Sequence, residues 1–155
     1  MEAAPGYELT LLLILGSRTI IDELHTRLAQ LGYDDVRPAH GFAFQRIAPN
    51  GATGNEIAEF LDITKQAASE MVDYLEKHGY VQRRPHPTDR RGKLVMLTER
   101  GWDFLQASGA ILSELGNQWA AVIGQQNMET WLANLRQLIL AANGGTWPQK
   151  LRPTW

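Results

Sequence analysis

The sequence predicts a mainly α-helical protein with a small β-hairpin wing, in which a winged helix-turn-helix domain is joined to a helical dimerisation domain. Three observations predict it. Apolar residues recur at helical spacing over most of the 155 residues. Two short helical segments, the second longer, are separated by about three residues near position 63, the spacing of a helix-turn-helix. Directly after them, "YVQRRPHPTDRRGKLVMLT" sets two strand-like runs around a proline-flanked, arginine-bearing loop. A hairpin in that position is a wing.

Taken in order, Leu9 to Leu31 reads as the first helix. Leu12, Leu13, Leu15, Ile20, Ile21, Leu24, Leu28 and Leu31 form a broad apolar stripe, and Gly32 stands just past its end. A stripe this wide on a terminal helix exceeds the partner surface of a small chain, which predicts packing against a second subunit. Pro38 opens a short helix with Phe42, Phe44 and Ile47 apolar. Pro49, Asn50 and Gly51 signal a turn. Thr53 with Glu56 three residues on has the form of a capping box, and Ile57, Ala58 and Leu61 supply the buried face behind it. This helix stops near Asp62.

Thr64 caps the next helix, which runs to His78 and ends at Gly79. Ala68, Met71, Val72 and Leu75 point inward at helical spacing, and the small Ala67 and Ala68 allow a close crossing. Lys65, Gln66, Ser69, Glu70 and Asp73 are left facing outward. Tyr80 to Arg84 and Lys93 to Leu97 read as strands, with Pro85 and Pro87 assigned to the loop because neither can donate to a ladder. Thr98 caps a last helical region through Trp102, Leu105, Ile111, Leu112, Leu115, Trp119, Val122 and Ile123. Gly124 and Asn127 mark a break, after which Met128 to Ala142 continues with Trp131, Leu132, Leu135, Leu138 and Ile139 on one face. Trp102, Trp119 and Trp131 fall on helical faces and suit core or dimer packing. The tail "TWPQKLRPTW" is proline-broken, so Trp147 and Trp155 either pack on a partner subunit or stay disordered. The expected organisation is a dimerisation region of residues 8–36 and 101–142, a winged helix-turn-helix domain of residues 37–100 and a tail of residues 143–155.

A composition 44% hydrophobic and 21% charged argues for a folded chain, and the absence of cysteine excludes disulfides and thiolate zinc sites. Glu2 stands where a secretory signal needs basic residues, and the apolar run from Leu9 to Leu15 is too short to span a membrane. The expected location is the cytoplasm, with no membrane partner. The net charge of −2 conceals an asymmetry, because Gly79 to Thr98 carries five cations against Asp89 alone, a local +4, leaving −6 elsewhere. A basic patch on an acidic body is a footprint of nucleic-acid contact, although a solvated basic hairpin would show the same charge.

The outward face of the second helix and the wing then have a physical reading. The N-terminal half of a recognition helix, here residues 65–78, fills a major groove, and a wing, residues 80–98, lies over the adjacent minor groove. Gln66 can pair with adenine and Lys65 with guanine acceptors, while Ser69 reaches phosphate or a base. Thr53 and Thr64 sit at helix N-termini, where free N–H groups favour phosphate. Arg91, beside Arg90 at the tip, is the expected minor-groove probe, and Asp89 holds the loop or orients an arginine. Arg83 and Arg84 add charge at the strand.

"DRRGKLVMLT" places Asp89, Arg91, Leu97 and Thr98 in the pattern Asp-x-Arg-x5-Leu-Thr. Together with "IAEFLDITKQAASEMVDYLEKHGYVQRRPHPTDRRG" it resembles the MarR family of bacterial winged-helix regulators, closely over Thr53 to Gly101 and loosely in the flanking helices. The resemblance implies a homodimer on a pseudo-palindromic double-stranded operator, dimerised by its N- and C-terminal helices. It further implies a small-molecule effector between the dimerisation and DNA-binding lobes, and a repressor that the effector releases. Asp89 and Arg91 match the family's wing pair, and Lys65 to Asp73 its recognition helix. Glu70 departs from the pattern, standing where many members carry a base; it could accept from cytosine or weaken phosphate contact.

The competing expectation is a winged-helix protein–protein interaction module that does not bind DNA, against which Arg83, Arg84, Arg90 and Arg91 argue. An enzyme is not expected. Ser69, Asp73 and His78 lie on one helix with no independent orienting group, and no phosphate loop or nucleophile motif occurs. None of His25, His40, His78 and His86 pairs at i, i+4, so no metal or other cofactor is expected; His25 and His40 read as helix-surface or pocket-lining residues.

Overall fold

The computed structural model describes residues 4–152. Six helices and one hairpin follow the order α1 (Glu8–Gln30), α2 (Pro38–Ile47), α3 (Gly54–Leu61), α4 (Lys65–Lys77), β1 (Val81–Pro85), β2 (Lys93–Leu97), α5 (Glu99–Ile123) and α6 (Gln125–Ala142). Boundaries follow local chemistry. Thr53 and Glu56 cap α3 reciprocally, Thr53 Oγ1 accepting from the Glu56 amide and the Glu56 carboxylate accepting from the Thr53 amide. Thr64 Oγ1 accepts from the Ala67 amide to start α4, and Thr98 Oγ1 from the Gly101 amide to start α5. Asp62 turns the chain out of α3 in the left-handed region, φ 54°, which a short polar side chain tolerates. Gly124, at φ 91°, makes the elbow between α5 and α6. Asn127 lies within α6, its amide donating to Ile123 O, so the break is a single residue wide.

The strands pair antiparallel with Val81 opposite Leu97 and Pro85 opposite Lys93. Pro85, expected in the loop, ends β1; the terminal pair does not need its missing N–H, and the next bond runs from the His86 amide to Gly92 O. Tyr80, expected as the first strand residue, instead closes α4, its amide donating to Leu75 O. Ala52 adds a third, one-residue edge by exchanging two bonds of 3.0 and 2.8 Å with Val95.

The core is centred on three fully buried rings, Phe44 of α2, Tyr80 and Phe104 of α5. Phe44 and Phe104 meet edge to face with centroids 5.1 Å apart, and Tyr33 meets Phe104 in the same way at 5.4 Å. Such pairs add about 0.5–1.5 kcal/mol each beyond their burial. Leu24 and Leu28 of α1, Ile57 and Leu61 of α3, and Val72 and Leu75 of α4 close around them. Ala68 is fully buried where α4 crosses α3, as its size predicts. Against this, Leu9, Leu12, Leu13, Ile14 and Leu15 of α1 lie open, Leu12 at 60% of its full exposure, as do Trp102 of α5 and Trp131 and Leu138 of α6. Among the described residues no helix is long and apolar enough to cross a membrane.

The tail departs from expectation. It returns to the chain's own α3, where the Leu151 amide donates to Phe60 O at 2.8 Å and Lys150 and Arg152 lie 3.6 and 3.9 Å from the Asp62 carboxylate. The last turn of a helix leaves carbonyls without partners, and an extended segment can supply the missing donor. Trp147 remains half exposed, and Trp155 lies outside the described residues.

Two predictions follow from the packing. A Cβ on Gly101 would collide with Tyr80 O and press on Leu97 at about 3.1 Å. Gly101→Ala is expected to lower stability by about 1–3 kcal/mol, read as a fall in the thermal midpoint. His40 is buried, stacks on Tyr74 at 5.0 Å, and caps α2 by accepting the Arg37 amide on Nδ1 at 3.0 Å. Burial, then the neighbouring Arg37 charge, hold its pKa down from 6.5 to about 4. A folded state that takes the proton less readily than the unfolded chain loses stability as pH falls from about 6.5 toward 4. His40→Asn keeps an acceptor without titrating, so its melting temperature should fall less over that window than the parent's.

Candidate nucleic-acid interface

The expected recognition face forms as the helical spacing requires. Thr64, Lys65, Gln66, Ser69, Glu70 and Asp73 are all exposed along α4, on the side opposite Ala68, Val72 and Leu75. Gln66 Nε2 donates to Glu70 Oε1 at 3.3 Å, so the departure at Glu70 has a local use: it holds the glutamine amide from one turn away. Ser69 faces a groove of about 470 Å³ between α3, α4 and the hairpin, together with Thr53, Asn55, Arg83, Asp89 and Lys93. Three elements distant in sequence therefore present polar groups to one concavity.

The cations divide into two sets. Arg83 turns onto α4 and lies 2.7 Å from Asp73 and 3.0 Å from Glu76, while its amide donates to Glu76 Oε2 at 3.0 Å. Its guanidinium, expected among the nucleic-acid contacts, is held by two carboxylates in the single chain. Arg84, Arg90 and Arg91 are exposed, and among the described residues their side chains take part in no ion pair; the same holds for Lys65 and Lys93. Unpaired charge thus gathers at the hairpin and at the start of α4, while the paired arginine fixes the hairpin's angle to the helix.

The threonine caps and Asp89 have structural duties. Both threonine hydroxyls accept from the amide three residues further along the chain. At α3 the Glu56 carboxylate also sits on the N-terminus, its pKa lowered by the Thr53 amide and by Arg46 at 3.1 Å. The first turn of α4 holds no acidic residue, so of the two helix N-termini it is the less negative. Asp89 Oδ1 accepts from the Arg91 amide at 3.0 Å, holding the loop and not an arginine side chain. Sequence reasoning missed Asn55 and Lys93, which also line the groove. It also missed His86, whose ring nitrogen sits among the loop amides. The signal was the spacing of His86 ahead of Thr88 and Asp89, the reach of a side-chain acceptor back to its own turn.

Among the described residues no group of three His, Cys, Asp or Glu could hold a metal. A cavity of about 80 Å³ lies between α1, α2 and α5, lined by Ile21, Leu24, Phe42, Phe104 and Leu105, with His25 on its wall. Burial lowers the His25 pKa, partly offset by its bond to Val36.

Comparison with known proteins bears on this geometry. Residues 35–92, from the loop before α2 to the wing tip, match the model of the MarR family. The chain is 36% identical over 63 residues to riboflavin kinase of Thermoplasma acidophilum, covering 41% of this chain and 27% of the kinase. It is 40% identical over 52 residues to the HTH-type transcriptional regulator PrsX of Escherichia coli, covering 34% and 31%. With the HTH-type transcriptional regulator YdcH of Bacillus subtilis it shares 30% over 87 residues, covering 56% and 58%. The chain therefore spans less than a third of the length of the first two relatives and somewhat more than half of the third. Solved structures match along most of the chain. MarR of E. coli superposes with a TM-score of 0.69 at 23% identity, covering 89% of this chain and 99% of that one. The transcriptional repressor CouR, bound to a 23-mer DNA duplex, gives 0.68 at 24% identity over 89% and 99%. Residues 35–92 thus match the MarR family model, and the chain as a whole has the overall fold seen in MarR and CouR.

Proposed function

We propose that this chain is a sequence-specific transcriptional regulator, not an enzyme, that acts in the cytoplasm as a homodimer on a pseudo-palindromic duplex operator. The observation that carries the reading is the split among the cations. Arg84, Arg90, Arg91 and Lys65 stay unpaired and exposed, whereas Arg83 is tied to α4 and sets their geometry. Lys65, Gln66 and Ser69 enter the major groove, and Arg90 and Arg91 the neighbouring minor groove, where narrow width concentrates negative potential. The match to a MarR-family segment, and to a repressor solved on DNA, supports the same reading.

The dimer rests on residues 8–36 and 101–142, with residues 37–100 as the DNA-binding unit. The open leucines of α1 and an apolar groove of about 410 Å³ at the α5–α6 elbow, lined by Trp119, Val122, Ile123, Met128 and Trp131, support this division. A two-fold partner would place the second α4 about 34–36 Å away, one turn of duplex. We assign repression and release by a small-molecule effector to the junction of α1, α2 and α5. The cavity there, about 80 Å³, falls well below the about 300–1,000 Å³ of ligand pockets. An effector enters only by parting these helices. That displacement changes the spacing of the two α4 helices, and it acts through the effector's differential affinity for the two spacings.

Selection of bound sequences from a random duplex pool tests the whole reading: recovery of symmetric half-sites one turn apart is expected. Absence of duplex binding even at low salt would leave the interaction module in its place. Arg91→Ala should weaken operator binding several-fold and reduce the slope of log affinity against log salt by about one. Gln66→Ala should relax preference at one base per half-site by about 1–3 kcal/mol, in a competition assay with substituted operators. Leu12→Glu alters a residue 60% exposed in the single chain, so it should leave the fold intact and shift the protein to monomer in analytical ultracentrifugation.

A further inference from the structure

The wing tip is built around an imidazole. His86 is half-buried while Pro87 to Arg91 are exposed. Its Nδ1 lies 3.2 Å from the Thr88 amide and 3.1 Å from the Asp89 amide, with the Thr88 hydroxyl at 3.4 Å. Both amides can only donate, so Nδ1 carries a lone pair and the ring proton sits on Nε2. The remaining bonds of the tip continue from this point. The His86 amide donates to Gly92 O and the Gly92 amide to Asp89 O, each at 3.2 Å, and Asp89 Oδ1 takes the Arg91 amide. Pro87 has no N–H, so among the described residues only the Arg90 amide of this turn is left without a partner.

We propose that His86, as its neutral Nε2–H tautomer, is a positioning residue for DNA binding. It collects the first two amides of the turn, and with Asp89 it fixes the backbone from which Arg90 and Arg91 project. This deepens the reading proposed above and rests on it. The physical argument is pre-organisation. A seven-residue proline-containing tip without an internal acceptor samples many conformations, and the entropy of ordering it would be charged to binding. An acceptor at the Nδ1 position meets that cost before DNA arrives. The requirement is for the acceptor and not for the ring, its charge or its aromaticity. Asn should therefore serve, because its Oδ1 stands two bonds beyond Cβ, as Nδ1 does.

The test compares wild type, His86→Ala and His86→Asn on the selected operator, with hydrogen exchange measured on the free proteins. Loss of one to two hydrogen bonds that order the tip is expected to weaken the Ala variant about fivefold to tenfold. The Asn variant should lie within about twofold of wild type, and the salt slope of all three should match, because His86 neutralises no phosphate. In the free proteins, the Thr88 and Asp89 amides should be protected in wild type and His86→Asn and exchange freely in His86→Ala. An Ala variant that binds like wild type overturns the inference. So does an Asn variant as weak as Ala, which would make the ring itself a DNA contact. If wild type binds no duplex, the proposed function falls, while the exchange pattern still decides whether His86 orders the tip.

Discussion

The structure depends on how Tyr80 is held. Its ring is fully buried against Phe44 and Phe104, yet its hydroxyl emerges between Asp35 and Arg100. Burial, reinforced by the Asp35 carboxylate that accepts its hydrogen bond, pushes the phenol pKa up to about 12, so the hydroxyl is a donor at neutral pH. The Arg100 guanidinium lies over the ring face, 4.6 Å from its centroid. The backbone of the same residue accepts from the Thr98 amide and leaves room for nothing larger than Gly101. One residue therefore joins the end of α4, the base of the hairpin, the start of α5 and the α1–α2 loop. A buried polar group is costly unless satisfied, and its satisfaction here specifies how four elements meet.

From that hub the charges of the candidate interface acquire their geometry. The acidic C-terminal half of α4 would repel a phosphate backbone if left alone. Asp73 and Glu76 instead clamp Arg83, which offsets one of their two charges and holds the hairpin at a set angle. Exposed ion pairs contribute little to stability, commonly under about 1 kcal/mol, so the use of this one lies in orientation. The hairpin's free arginines then project from a frame braced at its base by Tyr80, along its strand by Arg83 and at its tip by His86 and Asp89. The helices assigned above to the proposed dimer differ: their apolar faces remain uncovered in a single chain, as surfaces that meet a partner do.

Much of this was legible in the residues. Every helix start marked by threonine or proline formed where the marker stood, because a cap is a local bond between residues two or three apart. The exposed row on α4 followed from period alone. What the residues alone did not reveal has a common cause. Arg83 looked like Arg84, and only the fold brings Asp73 and Glu76, ten and seven residues away, to one of them and not the other. The tail's return to α3 depends on Gly144 and Gly145 redirecting the chain after α6, a direction no propensity encodes.

By itself, the sequence determined the element order, the caps, the apolar faces and the concentration of arginine at one loop, since each rests on spacings of two to four residues or on composition. Tertiary structure decided which arginine is free, what the tail covers, how small the cavity at the lobe junction is, and that an imidazole anchors the wing tip. Those outcomes rest on distances between residues far apart in the chain, or on a rotamer chosen by the surrounding turn. Neither can be read from spacing along the chain alone.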